Sequence, residues 1–239
     1  MARRTAPAAQ PSPRDRYRAQ VRAEIKEHAW EQIAGSGASA LSLNAIARRM
    51  GMTGPALYRY FGSRDELITA LVTDAYRSVA DTCLAAAAAP DASHASGADR
   101  LRTLAHALRN WALADPHRYF LIYGTPVPGY HAPEDVTLIA AEIMAVLLDV
   151  CAALPADGGE AGPDEAGFDA HLAGHREWDR GHPAPAPVLR RALAVWTRLH
   201  GALSLELAGH FTGMGFDPEL LFEAELDGLV RGTRPDGVQ

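Results

Sequence analysis

Apolar residues recur at every third or fourth position through most of the chain, which is the spacing that places them on one face of an α-helix. An apolar residue at every fourth position from Val21 to Ile33 predicts a first helix of about residues 14–34, ended by Gly35-Ser36-Gly37. No segment alternates apolar and polar residues with the period of two that is typical of a β-strand. The pattern therefore predicts an all-α fold of about nine helices.

Two short helices and a long one are predicted next. Ser42 is a typical N-cap for the second helix, and Gly51 is suited to end it in the left-handed conformation. Thr53 is the predicted cap of the third helix, whose first turn contains Pro55, where a missing N–H costs nothing. The run Ser63-Arg64-Asp65-Glu66 matches a capping box and predicts that a long fourth helix starts there and extends to about residue 89.

The rest of the chain contains five more predicted helices. The first contains Leu101–Trp111, and the second starts at Asp115-Pro116. The other three cover about residues 134–153, 187–212 and 217–231. Pro, Gly, Ala and Asp dominate residues 155–187, which predicts a long, mobile connection. Residues 1–13 lack any periodicity and predict a disordered arm.

The net charge of −6 is divided unevenly along the chain. Residues 1–64 contain eleven Lys and Arg against four acidic residues (+7), whereas the remainder contains 12 basic and 25 acidic residues (−13). A basic first part on an acidic body indicates that the first part contacts nucleic-acid phosphates. The basic residues Arg3, Arg4 and Arg14 further predict that the arm reaches an adjacent minor groove.

Several classes of protein are disfavoured by what the sequence lacks. No stretch approaches the roughly 18 apolar residues of a membrane span, and the first residues lack the apolar run of a signal peptide, so we expect a cytoplasmic protein. No nucleophile-elbow or phosphate-binding glycine motif supports an enzyme, and we expect no cofactor. Cys83 and Cys151 lie in helical patterns and are predicted core residues.

A metal site is the main alternative in the region 155–187. Its three histidines lie near acidic residues, and both are residue types that zinc accepts: His171, His175 and His182 near Asp169, Glu177 and Asp179. His171 and His175 would share a face if this piece were helical. Because Gly and Pro surround them, we predict a solvated loop and no metal site.

The second helix, the turn Gly51-Met52-Thr53 and the third helix have the spacing of a helix-turn-helix, in which the second of the two helices enters the major groove. Residues 42–67 read SLNAIARRMGMTGPALYRYFGSRDEL and resemble the signature of the tetracycline-repressor (TetR) family. The most diagnostic parts are LYRYF and SRDEL, and the match covers roughly residues 16–72. The resemblance implies a DNA-binding domain over residues 14–62 and an effector-binding and dimerisation domain, a helical bundle, over residues 63–233.

The resemblance also implies which residues contact DNA. Phosphate contacts fall on Ser42, Tyr58, Tyr60 and Arg64, and base-facing positions fall on Thr53, Gly54, Pro55, Ala56 and Arg59. Since three of the base-facing residues offer little hydrogen bonding, direct readout is expected to rest on Thr53, Arg59 and apolar contacts with thymine methyl groups. DNA shape or the N-terminal arm would supply further specificity. Ser42 has the alternative of acting only as a helix cap.

A second resemblance lies near the end of the chain. The stretch Trp196–Leu207 is similar to the WHG subtype of C-terminal domains in this family, and Trp111, Asp115-Pro116, Tyr119 and Gly124-Thr125-Pro126 fit the same subtype. The subtype implies that the last two helices pair with those of a second copy. It also implies a ligand pocket between helices four to eight.

Two sets of residues follow from this resemblance and from helical spacing. The expected dimer interface consists of Leu203, Leu207, Phe211, Phe222, Leu226 and Leu229. The expected pocket is lined by Tyr76, Trp111, Tyr119, Tyr123, Met144, Trp196 and His200, with membership of the core as the alternative for each.

These observations predict a homodimeric transcriptional repressor that binds double-stranded DNA at a palindromic operator and is released by a small-molecule effector. The alternative is an architectural DNA-binding protein that responds to no effector. Release of DNA by a small molecule distinguishes the two.

Overall fold

The computed structural model describes residues 12–89, 95–155 and 162–231, and in these ranges the chain forms ten α-helices, one short 3₁₀-helix at Ala38–Ala40 and no strand. The prediction of an all-α fold is confirmed. The helices are α1 (Pro13–Ser36), α2 (Leu43–Arg49), α3 (Gly54–Leu57), α4 (Arg64–Ala87), α5 (Gly97–Ala114), α6 (Pro116–Tyr123), α7 (Glu134–Ala152), α8 (Pro163–Gly174), α9 (Ala186–Leu207) and α10 (Pro218–Arg231).

The chain divides into two compact units. The first, here called the head, comprises Met1–Leu71 and Pro126–Tyr130, and the second, here called the body, comprises Val72–Thr125 and His131–Gln239. The predicted DNA-binding domain, residues 14–62, lies within the head, and its boundary stays a prediction. Helix α4 contributes its first turns to the head and the rest to the body.

Helix α1 begins where local chemistry stabilises its first turn. The Ser12 Oγ accepts a hydrogen bond from the Asp15 backbone N–H at 3.2 Å, and the Asp15 carboxylate accepts one from the Ser12 N–H at 3.3 Å. Most of the predicted arm, residues 1–11, lies outside the described residues. Arg14, which was predicted to reach the minor groove, lies in the first turn of α1.

The head core is formed by the apolar faces that the sequence predicts. The four residues at fourfold spacing in α1 are all buried, from Val21 to Ile33. Ile46 of α2, Leu57 of α3 and Phe61 have no exposed surface. Burial of such side chains is the main source of stability for a unit of this size.

The body core is built from α5, α7, α9 and α10, joined by the later turns of α4. Tyr119 of α6 is its largest fully buried side chain. Cys83 and Cys151 are buried free thiols, as predicted, and burial raises their pKa values to about 11 and about 12.

The prediction of a long connection over residues 155–187 is wrong, because this region contains α8. The helix starts with Pro163 and two acidic residues, a favourable first turn, and buries only Leu172. Its polar face is fixed by Arg190 of α9, which pairs with Glu165 at 2.9 Å and Asp169 at 2.8 Å. These partners lie at least 21 residues away in sequence, so local patterns did not reveal them.

Helix α9 ends at Leu207, five residues before the predicted end at residue 212. Ala208 is its C-cap, and Gly209 follows with φ +75°, the left-handed conformation that glycine adopts without steric cost. The apolar pattern continues through Phe211, which contacts Phe216 at 5.2 Å between ring centroids and so packs in the loop before α10.

Candidate functional site

The head contains a helix-turn-helix in the predicted place. The Ser42 Oγ caps α2 by accepting from the Ala45 N–H at 3.3 Å, and the Thr53 Oγ1 caps α3 by accepting from the Ala56 N–H at 3.4 Å. Between them Gly51 has φ +65°, the left-handed conformation predicted for it. Residues 50–53 thus join a seven-residue helix to a four-residue one.

None of the predicted base-facing and phosphate-facing residues is buried. Thr53, Pro55, Tyr58 and Arg59 are exposed, and Tyr58 keeps 45% of its surface. The other members of the predicted set are half-buried: Ser42, Gly54, Ala56, Tyr60 and Arg64. The arrangement brings an arginine, a threonine hydroxyl and tyrosines to one short helix and its ends, the chemistry needed for contacts with bases and phosphates.

Two arginines of α1 hold the segment after α3. The Arg18 Nη2 donates to the Arg59 carbonyl at 3.2 Å, and the Arg22 Nη1 donates to the Tyr60 carbonyl. The Arg22 guanidinium also lies 4.0 Å from the Phe61 ring centroid. Sequence reasoning missed this role, although the i, i+4 spacing of the two arginines on α1 is a signal for it.

Arg64 is used largely within the head. Its Nε donates to the Leu41 carbonyl at 3.2 Å, and its Nη2 donates to the carbonyls of Ala38 at 3.0 Å and Ser39 at 3.1 Å. These bonds fix the 3₁₀-helix in front of α2. The Nη1 atom lies 3.8 Å from the Asp65 carboxylate, so a phosphate contact by Arg64, which stays a prediction, would have to use that nitrogen.

The body contains a cavity of about 260 Å³, here called the outer cavity. Its walls are Tyr76, Tyr123, Thr137, Ala140, Ala141, Ile143, Met144, Glu177, Trp178, Arg180 and Trp196. Four of the seven predicted pocket residues are among them. A second space of about 30 Å³, the inner cavity, shares Ile143 and Trp196 with the outer one and is also lined by Cys83 and His200.

Trp111 and Tyr119 line neither of these two cavities, and their core alternative describes them better. The Trp111 Nε1 donates to the Ser78 Oγ at 3.0 Å. The Tyr119 hydroxyl lies 2.8 Å from the Ser204 Oγ, 3.0 Å from the His200 Nδ1 and 3.2 Å from the His200 carbonyl. A buried tyrosine with this many internal bonds fixes α6 against α9.

The rings of Tyr123, Trp196 and His200 form a cluster at the boundary of the two cavities. The centroid of His200 lies 4.1 Å from that of Trp196 and 4.4 Å from that of Tyr123. Burial lowers the pKa of His200 to about 4 and raises the pKa of Tyr123 well above its usual range. Both side chains are therefore uncharged at neutral pH.

Two polar atoms in this cluster lack a partner. The Tyr123 hydroxyl oxygen and the His200 Nε2 are buried and have no hydrogen-bond partner within the part of the chain that the structure describes. Since the great majority of buried polar atoms are hydrogen-bonded, these two are candidates for contacts with a ligand.

Sequence reasoning missed three cavity residues that follow α8: Glu177, Trp178 and Arg180. They lie in the region predicted to be a mobile connection. Trp178 offered a signal, since a large aromatic residue in a stretch rich in Gly and Pro has to be covered by other parts of the fold. The neighbouring Asp179 is buried and accepts from the Arg176 Nε at 2.7 Å, which stabilises the turn.

The predicted dimer interface is largely wrong. Leu203, Phe222, Leu226 and Leu229 are at most 6% exposed and belong to the core of a single body, so they have no surface left for a second chain. Leu207 and Phe211 are half-buried. The exposed apolar side chains of the last two helices are instead Leu205 at 45% and Leu220 at 68%.

Two of the three histidines considered as metal ligands have other hydrogen-bond partners. The His175 Nδ1 lies 2.9 Å from the His171 carbonyl, and the His182 Nε2 lies 3.2 Å from the Asp149 carboxylate. Within residues 12–89, 95–155 and 162–231, no three His, Cys, Asp or Glu side chains are grouped as ligands of one metal ion. Among the same residues, no helix combines the length and apolar character required to cross a membrane.

Two family models match this chain. One, described as bacterial regulatory proteins of the tetR family, covers residues 25–71, and the other, described as a tetracyclin repressor-like C-terminal domain, covers residues 101–229. The second range includes the stretch Trp196–Leu207, on which the second resemblance rests.

Individual relatives extend the likeness over most of the chain. The HTH-type transcriptional regulator Rv1816 of Mycobacterium tuberculosis is 38% identical over 217 residues, which cover 89% of this chain and 92% of the relative. The crystal structure of SCO4313, described as a regulatory protein, is 66% identical with a TM-score of 0.79 and covers 92% of this chain and 99% of that one. PfmR, a TetR family transcriptional regulator from Thermus thermophilus, shares the fold at 17% identity, with a TM-score of 0.56 and coverage of 88% and 98%.

Proposed function

The chain belongs to the tetracycline-repressor family of transcriptional regulators with a helix-turn-helix DNA-binding domain, and from this premise we propose that it is a repressor released from a palindromic operator by a small molecule. The observation that carries the proposal is the presence, in one chain, of an accessible helix-turn-helix and a cavity of about 260 Å³. A cavity of this size with mostly apolar walls is typical of a small-molecule site. An architectural DNA-binding protein has no use for it.

A two-fold dimer is part of this proposal. Two helix-turn-helix units read a palindrome when their recognition helices are about 34–36 Å apart, which requires two copies of the chain related by symmetry. The exposed residues Leu205 and Leu220 are the apolar contacts that α9 and α10 offer to a second copy.

Sequence preference is expected to depend on Arg59. This exposed side chain can donate two hydrogen bonds to a guanine, whereas Tyr60 offers one hydroxyl suited to a phosphate. Replacing Arg59 by Ala should reduce discrimination at one or two base pairs by about 1–3 kcal/mol, while Tyr60→Phe should weaken binding to all sequences alike. Binding to an operator selected by the protein from random DNA, and to its single-base variants, measures both effects.

The control for this survey is Arg18→Gln on α1. Arg18 supports the Arg59 carbonyl from within the head, so its replacement should lower affinity without changing the ranking of operators. An equal loss of affinity for all sequences in Arg59→Ala would contradict the role of Arg59 in base recognition. A changed ranking of operators in Tyr60→Phe would contradict the role of Tyr60 as a phosphate contact.

Two segments of the chain join the cavity to the head. Helix α4 supplies Tyr76 to the cavity and its first turns to the head. The segment Pro126–Tyr130, which links α6 to α7, also belongs to the head, where the Tyr130 hydroxyl donates to the Thr69 Oγ1 at 3.1 Å. A ligand that shifts α6 or α7 can therefore act on the head, provided that it binds the released conformation more tightly.

Tyr130→Phe tests this connection, because it removes one hydrogen bond in the head and leaves the cavity walls intact. We expect the ligand concentration needed for DNA release to rise by roughly three- to tenfold, which corresponds to the free-energy contribution of one hydrogen bond. The ligand is any compound that raises the melting temperature of the protein, and its affinity for the free protein should stay unchanged. If the variant released DNA at the same ligand concentration as the wild type, the segment Pro126–Tyr130 would play no part in transmitting ligand binding to the head.

A further inference from the structure

We propose that the ligand of the body cavity is a neutral, flat cyclic compound of about two rings, with one hydroxyl or similar oxygen that enters the inner cavity. The inference rests on the proposed function and names the chemical class of its effector. Four features support it: the size of the two cavities, the shape of their walls, the charges around them and two buried polar atoms without a partner among the described residues.

The size of the ligand follows from the outer cavity. An apolar cavity of about 150 Å³ accepts benzene, so a cavity of about 260 Å³ takes roughly ten non-hydrogen atoms, the size of two fused rings. The inner cavity of about 30 Å³ has room for one more group the size of a water molecule or a hydroxyl.

The shape follows from the walls. Residues 137, 140, 141 and 144 are spaced i, i+3, i+4, i+7 and lie on one face of α7, where Ala140 and Ala141 leave a shallow surface. The other walls are aromatic rings: Tyr76 meets Tyr123 edge-on at 6.0 Å, and Tyr123 meets Trp196 edge-on at 5.5 Å. Small residues on one side and rings on the other favour a flat ring system.

The charge of the ligand follows from the groups around the cavity. His200 is neutral because its pKa is about 4, and no charged side chain among the described residues lines the inner cavity. The outer cavity has two charged residues, Glu177 and Arg180, which are exposed, have opposite signs and lie three positions apart. A charged ligand group in the inner cavity would have no opposite charge beside it, which is costly in an apolar site. In the outer cavity the two exposed charges have opposite signs and favour neither an anion nor a cation.

We infer the hydroxyl of the ligand from two buried polar atoms that lack a partner among the described residues. Tyr123 lines the outer cavity and His200 lines the inner one, with their ring centroids 4.4 Å apart. The Tyr123 hydroxyl and the His200 Nε2 are both buried without a hydrogen-bond partner among the described residues. An oxygen that passes between Ile143 and Trp196, the walls shared by the cavities, would provide that partner.

Calorimetric titration of the full chain, without DNA, tests the inference with four probes of one shape. These are 2-naphthol, naphthalene, 2-naphthoate and 2-naphthylmethylammonium. We expect 2-naphthol to bind roughly three- to tenfold more tightly than naphthalene, the contribution of one hydrogen bond. Both charged probes should bind more weakly than 2-naphthol, since their charge has to be desolvated.

Tyr123→Phe is the decisive variant, and Tyr119→Phe is its matched control. The Tyr123 hydroxyl has no partner to lose among the described residues, so its removal should leave the melting temperature of the free protein unchanged or higher. It should reduce the preference for 2-naphthol, because the ligand hydroxyl keeps only the His200 Nε2 as a partner. The Tyr119 hydroxyl has three internal contacts, so its removal should lower the melting temperature and retain the preference.

Equal binding of 2-naphthol and naphthalene, tighter binding of a charged probe, binding of no probe, or a preference that is undiminished in Tyr123→Phe would each overturn the inference. DNA release is measured separately. If 2-naphthol binds as expected and releases no operator, the ligand class stands and effector-controlled repression fails. If another class of compound releases the operator and 2-naphthol does not bind, repression stands and the inference fails.

Discussion

Replacing Arg109 by Met is expected to lower the free energy of unfolding by about 3–5 kcal/mol, because it leaves Glu206 charged in the body core without its partner. The Arg109 Nη2 lies 2.7 Å from the Glu206 Oε1, and the two side chains are only 9% and 15% exposed. The guanidinium also lies 5.5 Å from the ring centroid of Phe222, so its removal loses packing as well. Urea unfolding followed by circular dichroism measures the change.

An exposed pair in the same body provides the matched control. Arg77 binds Glu142 through two bonds of 2.7 Å and 3.0 Å, but these side chains are 44% and 41% exposed. Arg77→Met should therefore cost no more than about 1 kcal/mol. Replacing both Arg109 and Glu206 by Met should restore most of the lost stability, and equal costs at the buried and exposed pairs would refute the argument.

The head could be predicted almost residue by residue because its structure depends on local chemistry. The caps at Ser42 and Thr53, the left-handed Gly51 and the buried face of α1 each follow from residues within one or two turns. The exceptions are the arginines that donate to distant carbonyls. Arg64 reaches back to residues 38–41, a contact that no local pattern encodes.

The body was predicted less well because its structure depends on contacts between distant segments. Helix α8 buries a single leucine and is fixed by Arg190, so its own apolar pattern is weak. Periodicity did identify the apolar stripe of α9 and α10, but it could not tell whether the stripe faces the same chain or a second one. Phe222, assigned to a dimer, is fully buried in one body.

The walls of the cavity also depend on contacts between distant segments, which local sequence patterns do not reveal. The sequence identified Tyr76, Tyr123, Met144 and Trp196 as pocket residues, but gave no means of separating them from Tyr119, which is fully buried and bonded internally. Aromatic residues on helices are suited equally to a core and to a ligand site. Only the packing of α6 against α9 decides which ring faces the cavity.

Replacing Leu57 by Ala is expected to cost the head about 2–5 kcal/mol, the range for removing a buried leucine side chain. Helix α3 has only four residues, and Leu57 is the one that it buries, with no exposed surface. Its loss should release α3 from the core and with it Thr53 and Arg59, which are proposed to read the operator. Operator affinity should then fall by tenfold or more, on the order of 1.4 kcal/mol for each factor of ten.

Leu113→Ala is the matched control, since this leucine of α5 is 39% exposed and alanine is the better helix former. Its stability and operator affinity should stay close to those of the wild type. Unfolding of the full chain and operator binding are measured for both variants. If Leu57→Ala lost stability but bound the operator normally, α3 would not be the element that contacts DNA, because a recognition helix without its only buried anchor cannot keep its side chains in register with the bases.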